Sequence, residues 1–357
     1  MPLIHTAEVL LPCTELQATL DFFIGRLGFR LESIFPADDP ATAQLSGHGL
    51  RLRLERGRDL SPSQLRLVCA DPEALADGQL ELRAPNGTRI ELVRKSAGLV
   101  VPTPHAKYVH TRTGTATDWR EGRAGMRYRD LMPDRLGGFL VASHIRVDAG
   151  GPVPDYVHYH DVQFQLIYCK RGWVRVLYED QGPALLLGAG DCVLQPPLIR
   201  HRVLECSAGL EVIELCAPSA HETHVDHELV LPNERQMPER DFAGQRFVYH
   251  RCAAAIWQPW RQAGFESRDL GIAAATANRV NVEVVRMAAG VLPMRREPLS
   301  GFRFVFVLEG MATLARQDGA EDQALQQGDV VLLPGPFGHS FEAPSAGLEL
   351  LEATFHV

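Results

Sequence analysis

The chain has 357 residues, too many for one ordinary core, so two or three domains are expected; 45% hydrophobic against 22% charged residues is a globular balance. A formal net charge of -8 with no Lys/Arg block leaves no footprint for nucleic acid or an anionic membrane, and no apolar run approaches a bilayer span. The first residues lack the basic and apolar regions of a secretory signal and the seven scattered cysteines contain no C-x-x-C pair, so a cytoplasmic protein with reduced thiols is expected.

Residues 1–96 read as a βαβββ module. "HTAEVLLPC" is strand-like. "TELQATLDFFIGRLGF" offers Thr14 as a helix N-cap, sets Leu16, Leu20, Phe23 and Leu27 at helical spacing, and stops at Gly28. Strand patterns follow in "GLRLRLER", "QLRLVCA" and "GTRIELVRK", the last after a Pro-Asn-Gly turn. "SAGLVVPTPHAK" reads as a linker.

Beyond it the chain repeats itself. "GMRYRDL" from Gly125 recurs as "GFESRDL" from Gly264, "IRVDAGG" as "VRMAAGV", and "GAGDCVLQPPLIRH" as "QQGDVVLLPGPFGH". The anchors Arg129 and Arg268, Gly190 and Gly328, His201 and His339 keep their order and nearly constant separation. Short alternating strands punctuated by Gly and Pro make each repeat an antiparallel β unit, expected over 107–230 and 245–357. "HETHVDHELVLPNERQMPERDFAG" between them is polar and turn-rich, with room for one short strand.

The chemistry concentrates in "VHYHDVQFQLIYCKRGWVRV". His158 and His160 are two apart, so on a strand they share a face, and His201 after a Pro-Pro turn can converge with them from a neighbouring strand. Three neutral imidazoles suit one divalent transition metal (Fe, Zn, Ni, Mn or Cu) and leave coordination positions open. Gln165 changes parity from His160 and joins that face only if a turn or bulge intervenes. As a neutral amide it binds metal weakly and cannot act as a base, so it is either a loose fourth ligand or a hydrogen-bonding neighbour. The metal would then keep more positive charge, favouring an anionic chelating substrate. Tyr156 and Gln195 are candidate pocket residues, while alternation turns Tyr159 away. Tyr168, Trp173 and Tyr178 read as core or dimer surface. His144, His221, His224, His227 and His250 read as structural, with "SAHETHVDH" a polar connector. In the second repeat the corresponding positions are Arg296, Pro298 and Arg303, with His339 retained, so that half is expected to lack metal and to leave its arginines exposed to solvent.

Two family resemblances follow from these motifs. "TLDFFIGRLGFRLESIF" and "APNGTRIELV" resemble one module of the vicinal-oxygen-chelate superfamily, the glyoxalase and bleomycin-resistance fold. That implies ligand positions at Glu8 and Glu91, but a complete site there needs two modules and one is visible, which makes this part a scaffold or dimerisation element. In the first repeat, Gly150 or Gly151 leading to His158, His160, Gln165 and Gly172, then Gly190, Pro196 and His201, resemble the two motifs of the cupin superfamily. The repeat then implies a bicupin, mainly β. Similarity to three-histidine cupin dioxygenases implies an iron-type enzyme acting on a small oxygenated organic molecule, in a homodimer. A non-catalytic metal- or metabolite-sensing bicupin and a metal-dependent isomerase or lyase remain the alternatives.

Overall fold

The computed structural model describes residues 5–36, 38–59, 61–95, 98–114, 119–122, 125–288, 301–335 and 338–356. They fall into two compact units that divide between Gly98 and Leu99. Among them no helix is long and apolar enough to cross a membrane, and all seven cysteines are free thiols.

The first unit holds more strands than its sequence suggests. Val9–Cys13, Leu50–Arg56, Thr42–Gly47 and Arg30–Phe35 form one four-stranded sheet in that order. Gln64–Cys69, Arg89–Arg94 and Glu81–Arg83 form a second. The expected single βαβββ module is therefore a βαβββ turn that closes at Arg56, followed by a shorter βαββ turn around the helix Pro72–Leu75. Leu11, Leu52 and Leu54 from one sheet and Ile90 and Leu92 from the other share one core. The helix Leu16–Asp21 continues as a π-turn, Phe22–Arg26, which keeps Leu16, Leu20, Phe23 and Leu27 buried as their spacing requires. Its N-cap is Glu15, without a side-chain hydrogen bond, and not Thr14. Glu8 accepts a hydrogen bond from Gln44 Nε2 at 3.0 Å and Glu91 pairs with Arg66 at 3.6 Å.

The second unit contains both repeats as two-sheet β structures. In the first repeat a seven-stranded sheet runs Val248–His250, Cys192–Leu194, Phe164–Arg171, Leu210–Ala217, Val141–Val147, Arg127–Asp130, Arg120–Glu121. Facing it is the sheet Leu185–Gly188, Trp173–Tyr178, His201–Cys206, His158–His160, Thr223–Val225. Residues of alternate parity serve different layers, as strand geometry demands. Cys169, Val193, Leu210 and Val212 point between the two sheets. Leu166, Tyr168, Leu194, Ile213 and Leu215 point the other way, where they pack on Val282, Val284, Phe304, Phe306 and Leu351 of the second repeat's large sheet. The two repeats thus lie back to back through their large sheets.

Strand exchange reinforces that packing. Val109–Thr111, at the start of the segment expected to form the first β unit, pairs with Val330–Pro334 of the second. Val248–His250 pairs in turn with Cys192–Leu194 of the first. The repeated motifs make the lock. Arg268 Nη1 donates to Gly190 O at 3.0 Å, and Arg129 Nη2 donates to Gly328 O at 3.0 Å, each across to the other repeat. The neighbouring aspartates hold the exchanged segments: Cys252 N donates to Asp191 Oδ1 at 2.7 Å and Thr113 N to Asp329 Oδ1 at 2.6 Å. Gly190 and Gly328 sit at φ +87° and +85°, and a Cβ on either would run into Cys252 Sγ or Thr113 Oγ1. These glycines and arginines recur in sequence because the interlock needs them on both sides.

Candidate metal centre

His158 and His201 are directly opposite each other on adjacent antiparallel strands, and His160 lies two residues along from His158. Their ligand-capable nitrogens all lie within 4.8 Å of one another. His158 and His201 are buried. Each ring is held at Nδ1. His158 Nδ1 donates to Tyr156 O at 2.9 Å, with Asp155 Oδ1 at 3.5 Å; His201 Nδ1 donates to Ile199 O at 3.1 Å. His160 Nδ1 meets Thr223 Oγ1 at 2.8 Å. A backbone carbonyl can only accept, so it fixes the Nδ1–H tautomer of His158 and His201 and gives Nε2 the lone pair. This is the orientation that outer-shell partners impose on metal-binding histidines, and the donor set suits a divalent transition metal.

Gln165 reaches this region because a turn at Asp161–Gln163 carries the chain from the small sheet to the large one, resolving the parity problem. It is 3% exposed and sits in a chain of hydrogen bonds. Tyr178 Oη donates to Gln195 Oε1 at 3.1 Å, Gln195 Nε2 donates to Gln165 Oε1 at 3.2 Å, and Gln165 Nε2 donates to Glu214 Oε1 at 2.7 Å. The ends set the direction of both amides. Burial pushes the Tyr178 phenol far above its ordinary range, so it stays a donor. Glu214, as a carboxylate, accepts. Gln195 Nε2 also lies 3.2 Å from His201 Nε2, tying the chain to the histidines. The carbonyl oxygen of Gln165 is thus engaged by Gln195, and Gln195 lines the cavity.

That cavity, about 330 Å³, opens between the two sheets. One end is polar: His160, His201, Gln165, Gln195, Glu214 and His221. The rest is apolar, with Ile145, Val147, Ile167, Val174, Val176 and Val212 among its walls. Two expectations need correcting. Tyr156 does not line the cavity; it is 47% exposed, and its part is the carbonyl that orients His158. His221 is no mere connector residue, since its ring lies 5.7 Å from that of His160 on the cavity wall. Tyr178 is core, as read, at 2% exposed, and from there it also stacks on His201 at 5.7 Å and starts the hydrogen-bond chain. Glu214 escaped notice altogether. Tyr159 does turn away, stacking on His224 at 5.1 Å.

The second repeat fills the equivalent place with ion pairs. Ladder register sets Arg303 where Gln165 stands and Glu352 where Glu214 stands. Arg303 is 6% exposed, against the expectation of solvent exposure, and its Nε lies 3.4 Å from Glu352 Oε1. Arg261 Nη2 reaches Glu352 at 2.5 Å and its Nη1 reaches Glu283 at 3.1 Å. Burial alone would raise the Glu352 carboxyl, but the two guanidinium groups outweigh it and hold it below the ordinary range. His339 is buried there, and Arg296 and Pro298 lie outside the described residues. Among the described residues the three histidines of the first repeat form the sole metal-capable group of His, Cys, Asp or Glu.

No family model matches the chain, and no curated protein matches it. Solved structures do. Salicylate 1,2-dioxygenase from Pseudaminobacter salicylatoxidans is similar at 14% identity and TM-score 0.53, over 72% of this chain and 86% of that one. Lactobacillus farciminis oxalate decarboxylase is similar at 15% identity and TM-score 0.51, over 72% and 87%. The E. coli protein Ylba is similar at 11% identity and TM-score 0.50, over 72% and 93%. At these identities the likeness shows the fold, a mainly-β bicupin.

Proposed function

We propose that this bicupin is a metal-dependent enzyme whose first barrel holds one divalent transition metal on His158, His160 and His201 and acts on a small oxygenated organic molecule, most simply as an iron-type dioxygenase. The observation that carries the reading is the convergence of three imidazoles within 4.8 Å, two of which, His160 and His201, line the polar end of an apolar-walled cavity. A saturated structural site would have no reason to face such a cavity. The bound metal would supply Lewis acidity and open coordination positions for substrate oxygens and O₂. The chain's own groups do the rest. The carbonyls of Tyr156 and Ile199 hold two imidazoles in place, the valine and isoleucine walls bind an apolar body and exclude water, and the Tyr178–Gln195–Gln165–Glu214 chain fixes the polar lining. Gln165 is assigned to that lining, beside the metal. The second barrel is assigned a scaffolding role, its site position taken by Arg261, Arg303 and Glu352. A homodimer in the cytoplasm, with a glyoxalase-like N-terminal unit as a scaffold or dimerisation element, completes the proposal.

Salicylate dioxygenase among the fold neighbours supports testing oxygen chemistry first. Protein purified without added metal would be analysed for its elements and assayed for O₂ consumption against small hydroxylated aromatics. Stoichiometric iron with substrate-dependent O₂ uptake is expected. Metal without turnover on any substrate would leave a binding or sensing protein; absence of metal after reconstitution would defeat the proposal.

A further inference from the structure

We infer that Glu214 is the residue that reads the substrate, accepting a hydrogen bond from a hydroxyl or amine on an apolar-bodied molecule and acting against a carboxylate in the same place; this rests on the cavity being the substrate site. Three observations carry it. Glu214 lies on the same inward parity as Leu210 and Val212 and lines the cavity beside Gln165. Among the described residues lining the cavity there is no Lys or Arg, and Glu214 is the one carboxylic side chain. The second repeat keeps the acid, as Glu352, but sets arginines against it, whereas the first repeat pairs Glu214 with the neutral amide of Gln165. The carboxylate that the motif lacks at position 165 is therefore present one strand away, held by Gln165 itself.

Its chemistry follows from charge. An ionised carboxylate has two oxygens that only accept, at about four positions, so it favours O–H and N–H donors. It repels a second carboxylate in a cavity whose apolar walls screen poorly. A divalent ion on the histidines attracts anions, and Glu214 offsets part of that attraction. The fitting substrate class is a neutral alcohol or phenol, or an amine, with an apolar or aromatic body.

The test uses three probes of one shape: benzyl alcohol, benzylamine and benzoate, with binding to the full-length protein measured by calorimetry. Wild type stripped of metal by a chelator, so that the ion does not draw the carboxylate, should bind the alcohol and amine in preference to benzoate. Glu214→Gln should shift the benzylamine-to-benzoate preference toward benzoate by about tenfold or more, the size of a lost charged hydrogen bond. Glu214→Asp, which keeps the charge, should retain most of the wild-type preference. Benzoate binding best in wild type, a preference unchanged in Glu214→Gln, or no binding of any probe would overturn the inference. Elemental analysis of untreated protein separates the two proposals. A Glu214-dependent preference without metal sinks the enzyme reading alone, and metal without that preference sinks this one alone.

Discussion

Replacing Gln165 with Glu would restore the residue that the cupin pattern carries there, and the geometry predicts a worse protein. Gln165 is 3% exposed and its amide donates to Glu214 Oε1 at 2.7 Å. A carboxylate in its place would bring two anions together. At a separation of about 4 Å and an effective dielectric constant near 20, their repulsion is about 4 kcal/mol. The sign with pH is definite. In acid both carboxyls are neutral in the folded and unfolded chain, and the penalty is small. As pH rises through the ordinary carboxylate range, the unfolded variant gives up a proton that the folded pair retains. Stability relative to wild type then falls by about 1.4 kcal/mol per pH unit until the repulsion is reached. Urea unfolding with a chelator present, at about pH 4 and about pH 8, reads this directly. The double variant Gln165→Glu/Glu214→Gln exchanges the partners and should recover most of the loss. A single variant as stable as wild type at the higher pH, or no recovery in the double variant, would refute the hydrogen-bond chain as described.

Arg268→Ala should cost about 3–5 kcal/mol in urea unfolding, because Gly190 O and the Tyr168 hydroxyl lose a charged partner at 3.0 and 3.1 Å; a loss below about 1 kcal/mol would deny the interlock. Arg303→Met should destabilise by about 3 kcal/mol by weakening the compensation of Glu352, which is 1% exposed, and Arg303→Met/Glu352→Leu should recover part of that. Glu211, whose carboxyl is held at about 2 by hydrogen bonds first from His144 and then from Lys170, should stabilise the fold fully above the ordinary carboxylate range and lose that contribution as pH falls toward 2. Glu211→Gln should accordingly flatten the acid limb of the stability profile, by at most about 3 kcal/mol in total; an unchanged limb would contradict the pairing.

The sequence carried the periodic features well. His158, His160 and His201 were legible because two-residue spacing fixes a face, and the repeat was legible because the interlock demands Arg and Gly at matching places. What it hid depends on partners distant along the chain. Glu214 is one of two acids in "LEVIELC", and nothing local separates it from Glu211, which faces Lys170 and His144. Only the register of Leu210–Ala217 against Phe164–Arg171 brings it to Gln165. The exchanged strands are three residues long, too short to show alternation. His221 follows Pro218 in a polar stretch, and its place on the cavity wall is set by the neighbouring pairing of His160 with Thr223. Arg303 looked like a surface residue because its counter-charge, Glu352, comes from another strand.

The central claim is that one barrel, and only one, holds the metal. Metal content per chain, measured by elemental analysis on wild type, His158→Ala, His201→Ala and His339→Ala after identical reconstitution, tests it. The account predicts one equivalent in wild type and in His339→Ala, and near-complete loss in the other two. Equal loss from His339→Ala, or retention in His158→Ala and His201→Ala, would contradict it.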